Sequence, residues 1–391
     1  MRGYVRKRGK NSYSLTVSLG RDPETGKYRQ HSETVKGTKR DADKRLAELL
    51  HQLDTGAFMR PGKTTVADYL ERWLADYAQV NLAPRTFEGY RGIIEGHLIP
   101  GLGQLPLTRL KPEHIQRYYS DMLSHGRADG KGALSPRTVR HHHMVLHKAL
   151  DTAVRWGLLS RNPADAISPP RCQSPQWHTL GEHDIQLLLE AAKSTPYYAF
   201  FYTALFTGMR RSEILALRWC DLDLVMCQAH VRRALHHLLS GEVVTRPPKS
   251  AKGSRTVALT PSTAIVLKEH REKQALEVAL IGRAVKDDDL VFSTIEGRVL
   301  LPNTVTHAWR NLVRRLGLGN VRLHDARHSH ASLLLKQGVH PKVVQERLGH
   351  SSITLTLDTY SHVAPGLQEA AAKRFDEVLA PSVDLELSQS R

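Results

Sequence analysis

The sequence lacks the features of secreted, disulfide-stabilised and membrane proteins. Its 391 residues include three cysteines, Cys172, Cys220 and Cys227, which are too few for a disulfide framework and do not stand in the paired spacing of a zinc site. No apolar run approaches the roughly 18 residues of a membrane span, and the N-terminal MRGYVRKRGK has no apolar signal region. These absences predict a soluble intracellular protein without a membrane partner.

Acidic residues are also scarce beside basic ones. The chain has 39 Asp and Glu against 56 Lys and Arg, which gives a formal net charge of +17 and a pI near 9.9. This excess favours a polyanionic partner, and nucleic acid before a membrane surface. On charge alone, a soluble protein that is merely basic stays an alternative. The length predicts two or three domains, since one ordinary core does not extend over so long a chain.

The first 60 residues predict a small β-sheet followed by a helix. Apolar and polar residues alternate along 13–19, and residues 22–26 have turn chemistry before a second polar strand. A helix should begin near Thr38, with Thr38 as N-cap and Asp41 at the capping-box position. Its apolar residues fall on one face and should pack on the sheet: Ala42, Leu46, Leu49, Leu50 and Leu53. The segment carries a net charge of +7, which is either a solvated face or a binding surface.

Four helical patterns follow a predicted linker at 58–63. They cover about 66–78, 84–97, 112–124 and 136–157, and Thr65 and Asp68 should cap the first of them. The other three begin at a proline, whose missing N–H costs nothing at the first helical position: Pro84, Pro112 and Pro136. This part of the chain is therefore predicted to be a helical bundle.

Four histidines in the last helix of this bundle, His141, His142, His143 and His147, invite a metal interpretation. We reject it because consecutive helical residues point in different directions and the sequence suggests no carboxylate or cysteine to complete a ligand set. His143 lies on the apolar stripe and should pack, whereas the other three should face solvent or phosphate.

A proline-rich joint at 162–177 separates the bundle from the rest of the chain. From about residue 178 the pattern is mainly helical, with one strand-rich insertion. Residues 231–239 and 255–259 flank the turn KSAKGS and are expected to form strands on either side of it. This turn contains Lys249 and Lys252.

Motifs suited to phosphate chemistry stand in order in this second half: TGMRRSE at 207–213, HDAR at 324–327, LGH at 348–350 and DTYSH at 358–362. His324 and Arg327 are three residues apart, so on a helix they share a face. A guanidinium offers a planar fork of donors to paired phosphate oxygens. The hydroxyl of Tyr360 can attack phosphorus and form a covalent intermediate.

Together these motifs resemble the tyrosine recombinase family, and within it the phage-type integrases, over nearly the whole chain. The resemblance implies a catalytic set with Tyr360 as the nucleophile, two arginines that hold the phosphate, and two histidines: Arg210, His324, Arg327, His350 and Tyr360. Glu213 would orient Arg210. Lys249 is the expected general acid and Lys252 a phosphate contact, although the sequence leaves their roles open to exchange. Neither a cofactor nor a metal is implied.

The resemblance implies a multidomain fold. We expect a small β-sheet plus helix that binds arm-type DNA at 1–60, an all-α core-binding bundle at 64–165, a mainly α catalytic domain with a small antiparallel sheet at 176–380, and a polar tail at 381–391. A further amphipathic helix is expected at 365–379. Contacts of the arm domain with DNA are assigned to basic residues near its strands: Arg6, Lys7, Arg8, Lys10, Arg21, Lys27 and Arg29.

The implied function is site-specific integration or excision of a mobile element in the cytoplasm of a bacterial cell. The implied partners are double-stranded DNA at core-type and arm-type sites, a homotetramer on that DNA, an excisionase and DNA-bending host factors. A type IB topoisomerase and a non-catalytic DNA-binding regulator are the two rival interpretations. The complete set of reactive residues disfavours the regulator, and the N-terminal basic unit disfavours the topoisomerase.

Overall fold

The computed structural model describes residues 3–21, 26, 28–54, 64–127, 130, 132–172, 178–238, 240–247, 253–360, 372, 373 and 375–377. The chain divides into two compact units, Met1–Ser174 and Pro175–Arg391. Within the described ranges, no helix combines the length and the apolar character needed to cross a lipid bilayer.

The first unit begins with a three-stranded antiparallel sheet of β1 (Gly3–Gly9), β2 (Ser12–Arg21) and β3 (Tyr28–Lys36), in that order. Strands β2 and β3 confirm the two strands predicted from the sequence. Strand β1 was not predicted, because its sequence GYVRKRG has one aliphatic side chain, Val5, and so shows no alternation of apolar and polar residues. The predicted turn residues 22–25 lie outside the described residues.

Helix α1 (Lys39–Asp54) packs on this sheet, as its apolar stripe predicted. The capping box is present, because the Thr38 N–H donates to Asp41 Oδ2 at 2.8 Å and the Asp41 N–H donates to Thr38 Oγ1 at 3.3 Å. Buried residues of helix and sheet form a small separate core: Leu15, Val17, Ala42 and Leu49. The predicted linker at 58–63 falls outside the described residues.

The predicted bundle follows as α2 (Val66–Trp73), α3 (Gln79–Asn81), α4 (Pro84–Ile93), α5 (Ile99–Leu102), α6 (Pro112–His125) and α7 (Pro136–Arg155). Its capping box at Thr65 and its three N-terminal prolines confirm the sequence signals. Two π-helical turns, Leu74–Ala78 and Ile94–Leu98, join α2 to α3 and α4 to α5, so the first two helical runs end at Asn81 and Leu102, beyond their predicted ends at 78 and 97. A hydrophobic period of 3.6 residues does not anticipate such turns.

The histidines of α7 correct one expectation. His142 is 1% exposed and its Nδ1 lies 2.9 Å from the Tyr118 hydroxyl, so the prediction that it faces solvent or phosphate was wrong. The reason is helical spacing: His142 shares the buried stripe of Val139 and Leu146, three and four residues away. Burial lowers the pKa of His142 to about 4. His143 is half-buried, as expected, and pairs with the Tyr119 hydroxyl at 2.8 Å.

His147 corrects a second expectation, because carboxylates do lie beside it. Its Nε2 is 2.8 Å from Asp165 Oδ1 and its Nδ1 is 3.2 Å from Asp151 Oδ2. Asp151 also accepts a bond from Asn162 Nδ2 at 2.6 Å. Each imidazole nitrogen therefore faces its own carboxylate in a network that fastens α7 to the following 3₁₀ turn, Pro163–Ala166.

The second unit contains α8 (Glu182–Ala192), α9 (Tyr198–Thr207), α10 (Arg211–Ile214), β4 (Leu222–Asp223), β5 (Gln228–Val231), β6 (Ala234–His237), β7 (Val243–Arg246), β8 (Arg255–Ala258), α11 (Pro261–Ala279), α12 (Pro302–Arg315), α13 (Asp325–Lys336), α14 (Pro341–Leu348) and α15 (Ile353–Tyr360). Helix α9 is apolar on all sides because it runs through the core. Aromatic rings pack edge to face around it, Phe201 on Trp309 and Phe200 on Phe292, each pair 5.2 Å apart.

The strand-rich insertion differs from its prediction in pairing. Strands β4, β5 and β8 form one antiparallel sheet, and β6 pairs with β7 in a separate hairpin. Of the predicted strand at 231–239, Val231 therefore pairs with Arg255 in the first sheet, whereas Ala234–His237 form β6 and pair with β7 instead of with 255–259. The β6–β7 connection at 238–242, where Gly241 adopts φ +86°, closes the hairpin earlier in the chain. Lys249 and Lys252 stand between β7 and β8, which belong to different sheets, and both lysines lie outside the described residues.

Candidate active site

Arg210 stands at the junction of two helices. Helix α9 ends at Gly208, whose φ of +63° is left-handed, and Arg210 is the N-cap of α10. The Arg210 N–H donates to Glu213 Oε2 at 2.9 Å, and Arg210 Nη1 donates to Glu213 Oε1 at 2.7 Å. One buried carboxylate thus fixes both the backbone and the side chain of this arginine.

Arg327 lies on the first turn of α13 and is 4% exposed. Its Nη1 donates to the Gly208 carbonyl and its Nη2 to the Leu348 carbonyl, both at 2.8 Å. The guanidinium therefore joins the C-terminal ends of α9 and α14. Buried guanidinium groups require such partners, because an unpaired buried charge is costly.

The LGH motif forms the left-handed end of α14. Gly349 has φ +68°, and its carbonyl accepts a bond from Arg210 Nη2 at 3.1 Å. His350 is 7% exposed, and its Nδ1 lies 2.9 Å from the hydroxyl of Thr356 on α15. Gln345 fixes the His350 backbone, since its Nε2 donates to the His350 carbonyl at 2.6 Å. Arg210, Arg327 and His350 consequently meet around this turn.

The electrostatics of the cluster favour an anion. Burial lowers the pKa of His350 to about 3, with the Arg327 and Arg210 charges adding to the effect. His324, the N-cap of α13, has its pKa lowered by lost hydration and then by the Arg327 charge. Both imidazoles are therefore neutral at pH 7 beside two guanidinium groups. Such a set of fixed donors and cations suits the charge of a phosphodiester.

Arg255 belongs to this cluster and was missed from the sequence. Its Nη2 and Nη1 donate to Glu213 Oε2 and Oε1 at 2.9 and 3.2 Å, and its Nε donates to the Arg347 carbonyl at 2.8 Å. Burial alone would raise the pKa of Glu213, but the bonds from Arg255 and Arg210 hold it below its usual range. No local motif marks Arg255, because its partner is 42 residues away in sequence.

His330 has a structural role, which its contacts define. Its Nδ1 lies 2.9 Å from the Leu205 carbonyl, and Arg347 Nε donates to its Nε2 at 2.9 Å. Arg347 additionally donates to the carbonyls of Phe206 and Ala258. His328, on the same helix, packs its ring edge-on against His324 at 5.1 Å. His362, the last residue of the DTYSH motif, lies outside the described residues.

The structure brings together five of the residues expected at the site: Arg210, Glu213, His324, Arg327 and His350. Tyr360 is the last residue of α15, a helix that contacts both α13 and α14, but its side chain lies outside the described part of the chain. Lys249 and Lys252 lie outside it as well.

The described members of the set of basic residues assigned to arm-type DNA are on or beside the N-terminal sheet. Exposed side chains line β1 and the turn after it: Arg6, Lys7, Arg8 and Lys10. Arg21 ends β2 with its guanidinium 5.0 Å from the Tyr28 ring centre, and Arg29 is half-buried on β3. Lys27 lies outside the described residues.

Comparison with known proteins identifies the family. The phage integrase family matches residues 178–366, and the N-terminal SAM-like domain of phage integrases matches 65–123. An integrase from Streptomyces ambofaciens is 30% identical over 363 residues, which cover 91% of each chain. A tyrosine recombinase XerC-like protein from Caldanaerobacter subterraneus subsp. tengcongensis is 27% identical over 390 residues, covering 95% of this chain and 97% of that one. The chain therefore belongs to the phage integrase family of tyrosine recombinases, enzymes that break and rejoin DNA in the site-specific recombination of mobile elements.

Two solved structures share the fold. The Tn1549 transposon integrase, in complex with a circular intermediate DNA, has a TM-score of 0.66 at 19% identity and covers 81% of this chain and 100% of that one. A lambda integrase tetramer bound to a Holliday junction has a TM-score of 0.53 at 18% identity and covers 90% and 96%. The chain thus has the tyrosine recombinase fold, with an N-terminal SAM-like domain, a mainly helical C-terminal domain and small antiparallel sheets.

Proposed function

We propose that Tyr360 cleaves a DNA strand by attacking the scissile phosphorus, with Arg210 and Arg327 neutralising the charge that develops on the non-bridging oxygens. The phenolic oxygen forms a bond to phosphorus, the bond to the 5′ oxygen breaks, and a 3′-phosphotyrosine remains. Because this ester conserves the energy of the broken bond, rejoining needs no nucleotide cofactor. The observation that carries the proposal is the meeting of both guanidinium groups at the LGH turn.

His324 is the proposed acceptor of the Tyr360 proton. A free tyrosine has a pKa near 10, so only about one part in a thousand is phenolate at neutral pH and a base is needed. The lowered pKa of His324 keeps its imidazole neutral, which is the form able to accept a proton. Transfer of a proton in the transition state typically contributes about 10²- to 10⁴-fold to rate.

His350 is the proposed hydrogen-bond donor to the scissile phosphate. Its Nδ1 faces the Thr356 hydroxyl at 2.9 Å. If that hydroxyl donates to Nδ1, the imidazole proton stands on Nε2 and is available to a phosphate oxygen. Thr356 would then select the tautomer that the reaction requires.

The central test is covalent capture. The core site is first defined by incubating genomic DNA with the wild-type protein and sequencing the fragments that remain attached in SDS. On that site, Tyr360→Phe should retain DNA affinity and form no SDS-resistant complex, because the ring stays and the attacking oxygen is lost. An SDS-resistant complex formed by the Phe variant would reject Tyr360 as the nucleophile.

Lys249 is the proposed general acid that protonates the departing 5′ oxygen, and Lys252 the proposed phosphate contact. A 5′ thiolate leaves without such help, since thiols ionise near pKa 8.5. Replacing the bridging 5′ oxygen with sulfur should therefore restore cleavage to Lys249→Ala by about 10²- to 10⁴-fold. Lys252→Ala, the matched control, should show little defect on either substrate. Rescue at Lys252 alone would transfer the role to that residue.

We further propose a role for each of three domains. The domain at 1–60 binds arm-type DNA, the domain at 64–165 binds core-type DNA, and the domain at 176–380 catalyses the reaction. The exposed basic side chains of β1 support the first assignment. The tetrameric state of lambda integrase on a Holliday junction supports a homotetramer on DNA for this chain. DNA in the bacterial cytoplasm is the proposed setting, with an excisionase and DNA-bending host proteins as accessory factors.

A further inference from the structure

The guanidinium of Arg255 is hydrogen-bonded to other groups of the protein. It makes four hydrogen bonds: two to the Glu213 carboxylate, one to the Arg347 carbonyl and one from Nη1 to the Gly253 carbonyl at 3.1 Å. A guanidinium has five N–H groups, so nearly all of its donors are used. The side chain is only 7% exposed. Arg255 is therefore built to hold other residues in place and not to hold phosphate.

These bonds connect the segments that carry the proposed chemistry. The Glu213 carboxylate also binds the side chain and the backbone N–H of Arg210. The Arg347 carbonyl stands one residue before the LGH motif at the end of α14. Gly253 directly follows the segment that contains the two candidate lysines. One side chain at the start of β8 thus contacts the carboxylate that holds Arg210, the residue before the LGH motif and the residue after the two candidate lysines.

A second arginine makes the connection between β8 and α14 reciprocal. Arg255 on β8 donates to the Arg347 carbonyl, and Arg347 on α14 donates from Nη1 to the carbonyl of Ala258, the last residue of β8, at 2.9 Å. The two elements are held at two points, which fixes their relative rotation. Gly349 lies so close that a Cβ there would stand 2.9 Å from Arg255 Nη1.

We infer that Arg255 is a positioning residue for the recombination reaction, which aims Arg210 at the scissile phosphate through the shared carboxylate of Glu213. The inference rests on the proposed role of Arg210. Lysine at this position retains the charge but offers a single point donor in place of the planar fork, so it cannot hold both Glu213 oxygens and the Arg347 carbonyl together. The expected defect is therefore one of geometry.

Two substrates distinguish positioning from a general loss of structure. One is the trapped core site with its natural phosphodiester, and the other carries a methylphosphonate at the scissile position, which has no negative charge for a guanidinium to neutralise. Arg255→Lys should cleave the phosphodiester about 10- to 100-fold more slowly than wild type, as a misplacement of about 1 Å can cost 10²-fold. DNA affinity should be unchanged, and the methylphosphonate should remove the difference.

Arg233→Lys is the matched control, because Arg233 also pairs with a buried carboxylate, Asp221, at 2.9 Å in the same unit. It should cleave both substrates at the wild-type rate. An Arg255→Lys defect of equal size on both substrates, or no defect on the phosphodiester, would overturn the inference. If Arg255→Lys does not fold, Glu213→Gln is tested in its place. This variant weakens the same Arg255–Glu213 interaction by removing the carboxylate charge, so it should show the same substrate dependence.

Arg210→Ala separates this inference from the proposal on which it rests. It should lose cleavage of the phosphodiester and regain it on the methylphosphonate. If Arg210→Ala cleaves the phosphodiester normally, the proposed role of Arg210 is wrong. If Arg210→Ala behaves as expected and Arg255→Lys does not, only the positioning role of Arg255 fails.

Discussion

Acid should destabilise the second unit through His330, a histidine that the fold keeps neutral. The residue is 9% exposed, its Nδ1 faces the Leu205 carbonyl, and its Nε2 accepts a hydrogen bond from Arg347 Nε. A second ring proton would point at that guanidinium N–H and add a buried positive charge beside it. Burial and the Arg347 charge accordingly lower the pKa of His330 to about 3.

The size and direction of the effect follow from proton linkage. The unfolded chain binds a proton at this histidine near pH 6.5, and the folded chain does so only near pH 3, so the unfolded state takes up more protons between these values. Stability from this group is fully present above pH 6.5 and falls as the pH drops through that window. At pH 5.0 the loss is about 2 kcal/mol, from 1.36 kcal/mol for each pH unit below 6.5.

Hydrogen exchange of peptides from α13 measures this free energy in the full chain, after correction for intrinsic exchange rates. Between pH 7.5 and 5.0, wild type should lose about 2 kcal/mol more protection than His330→Gln, whose amide offers a donor and an acceptor but does not titrate. Leu335→Ala, a destabilised variant of the same helix that retains His330, should follow the wild-type pH dependence. Identical pH dependence in wild type and His330→Gln would refute the reasoning.

Three further outcomes are expected. Gly349→Ala should lower the free energy of unfolding by about 1–2 kcal/mol in an unfolding assay, because φ is +68° at this position. The added Cβ would also crowd Arg255, so a cleavage assay should show slower formation of the covalent complex. Thr65→Ala removes a capping box and should cost about 1 kcal/mol in the exchange protection of α2. Deletion of residues 1–60 should spare core-site cleavage but abolish recombination between attachment sites in a two-plasmid assay, since a second DNA contact on one chain has a high effective concentration.

Local signals account for the parts of the fold that were predictable. Thr38 and Thr65 form the capping boxes that the sequence indicated, and the prolines at 84, 112 and 136 open their helices, because each signal acts within one turn of the chain. Strand pairing was not predictable in the same way. The partner of β8 is β5, across more than twenty residues that include a complete hairpin, and no local pattern specifies that choice.

The same distinction between local signals and long-range contacts applies to the site. The motifs around Arg210, Arg327 and His350 were recognisable because they stand together in a fixed order, although each of them alone is a weak signal. The motifs do not predict the contacts that hold them in place. Examples are the hydrogen bonds from Arg255 to Glu213 and from Arg327 to the Gly208 carbonyl. His142 shows the same limit at a single residue, since His143 was predicted to lie on the apolar stripe and His142 to face solvent or phosphate, whereas the fold buries His142.

The contacts of the two arginines proposed to bind the phosphate also differ in kind, because Arg210 binds the carboxylate of Glu213 as well as a carbonyl, whereas Arg327 binds carbonyls. Arg327 binds the carbonyls of Gly208 and Leu348, and Arg210 binds the carbonyl of Gly349. These groups end helices α9 and α14, where unsatisfied carbonyls concentrate a partial negative charge of about half an electron. A partial charge stabilises a guanidinium without cancelling its positive charge, whereas a full carboxylate would compete with the phosphate. Glu213 has a second cation, Arg255, to balance it, so the site retains positive charge for the substrate.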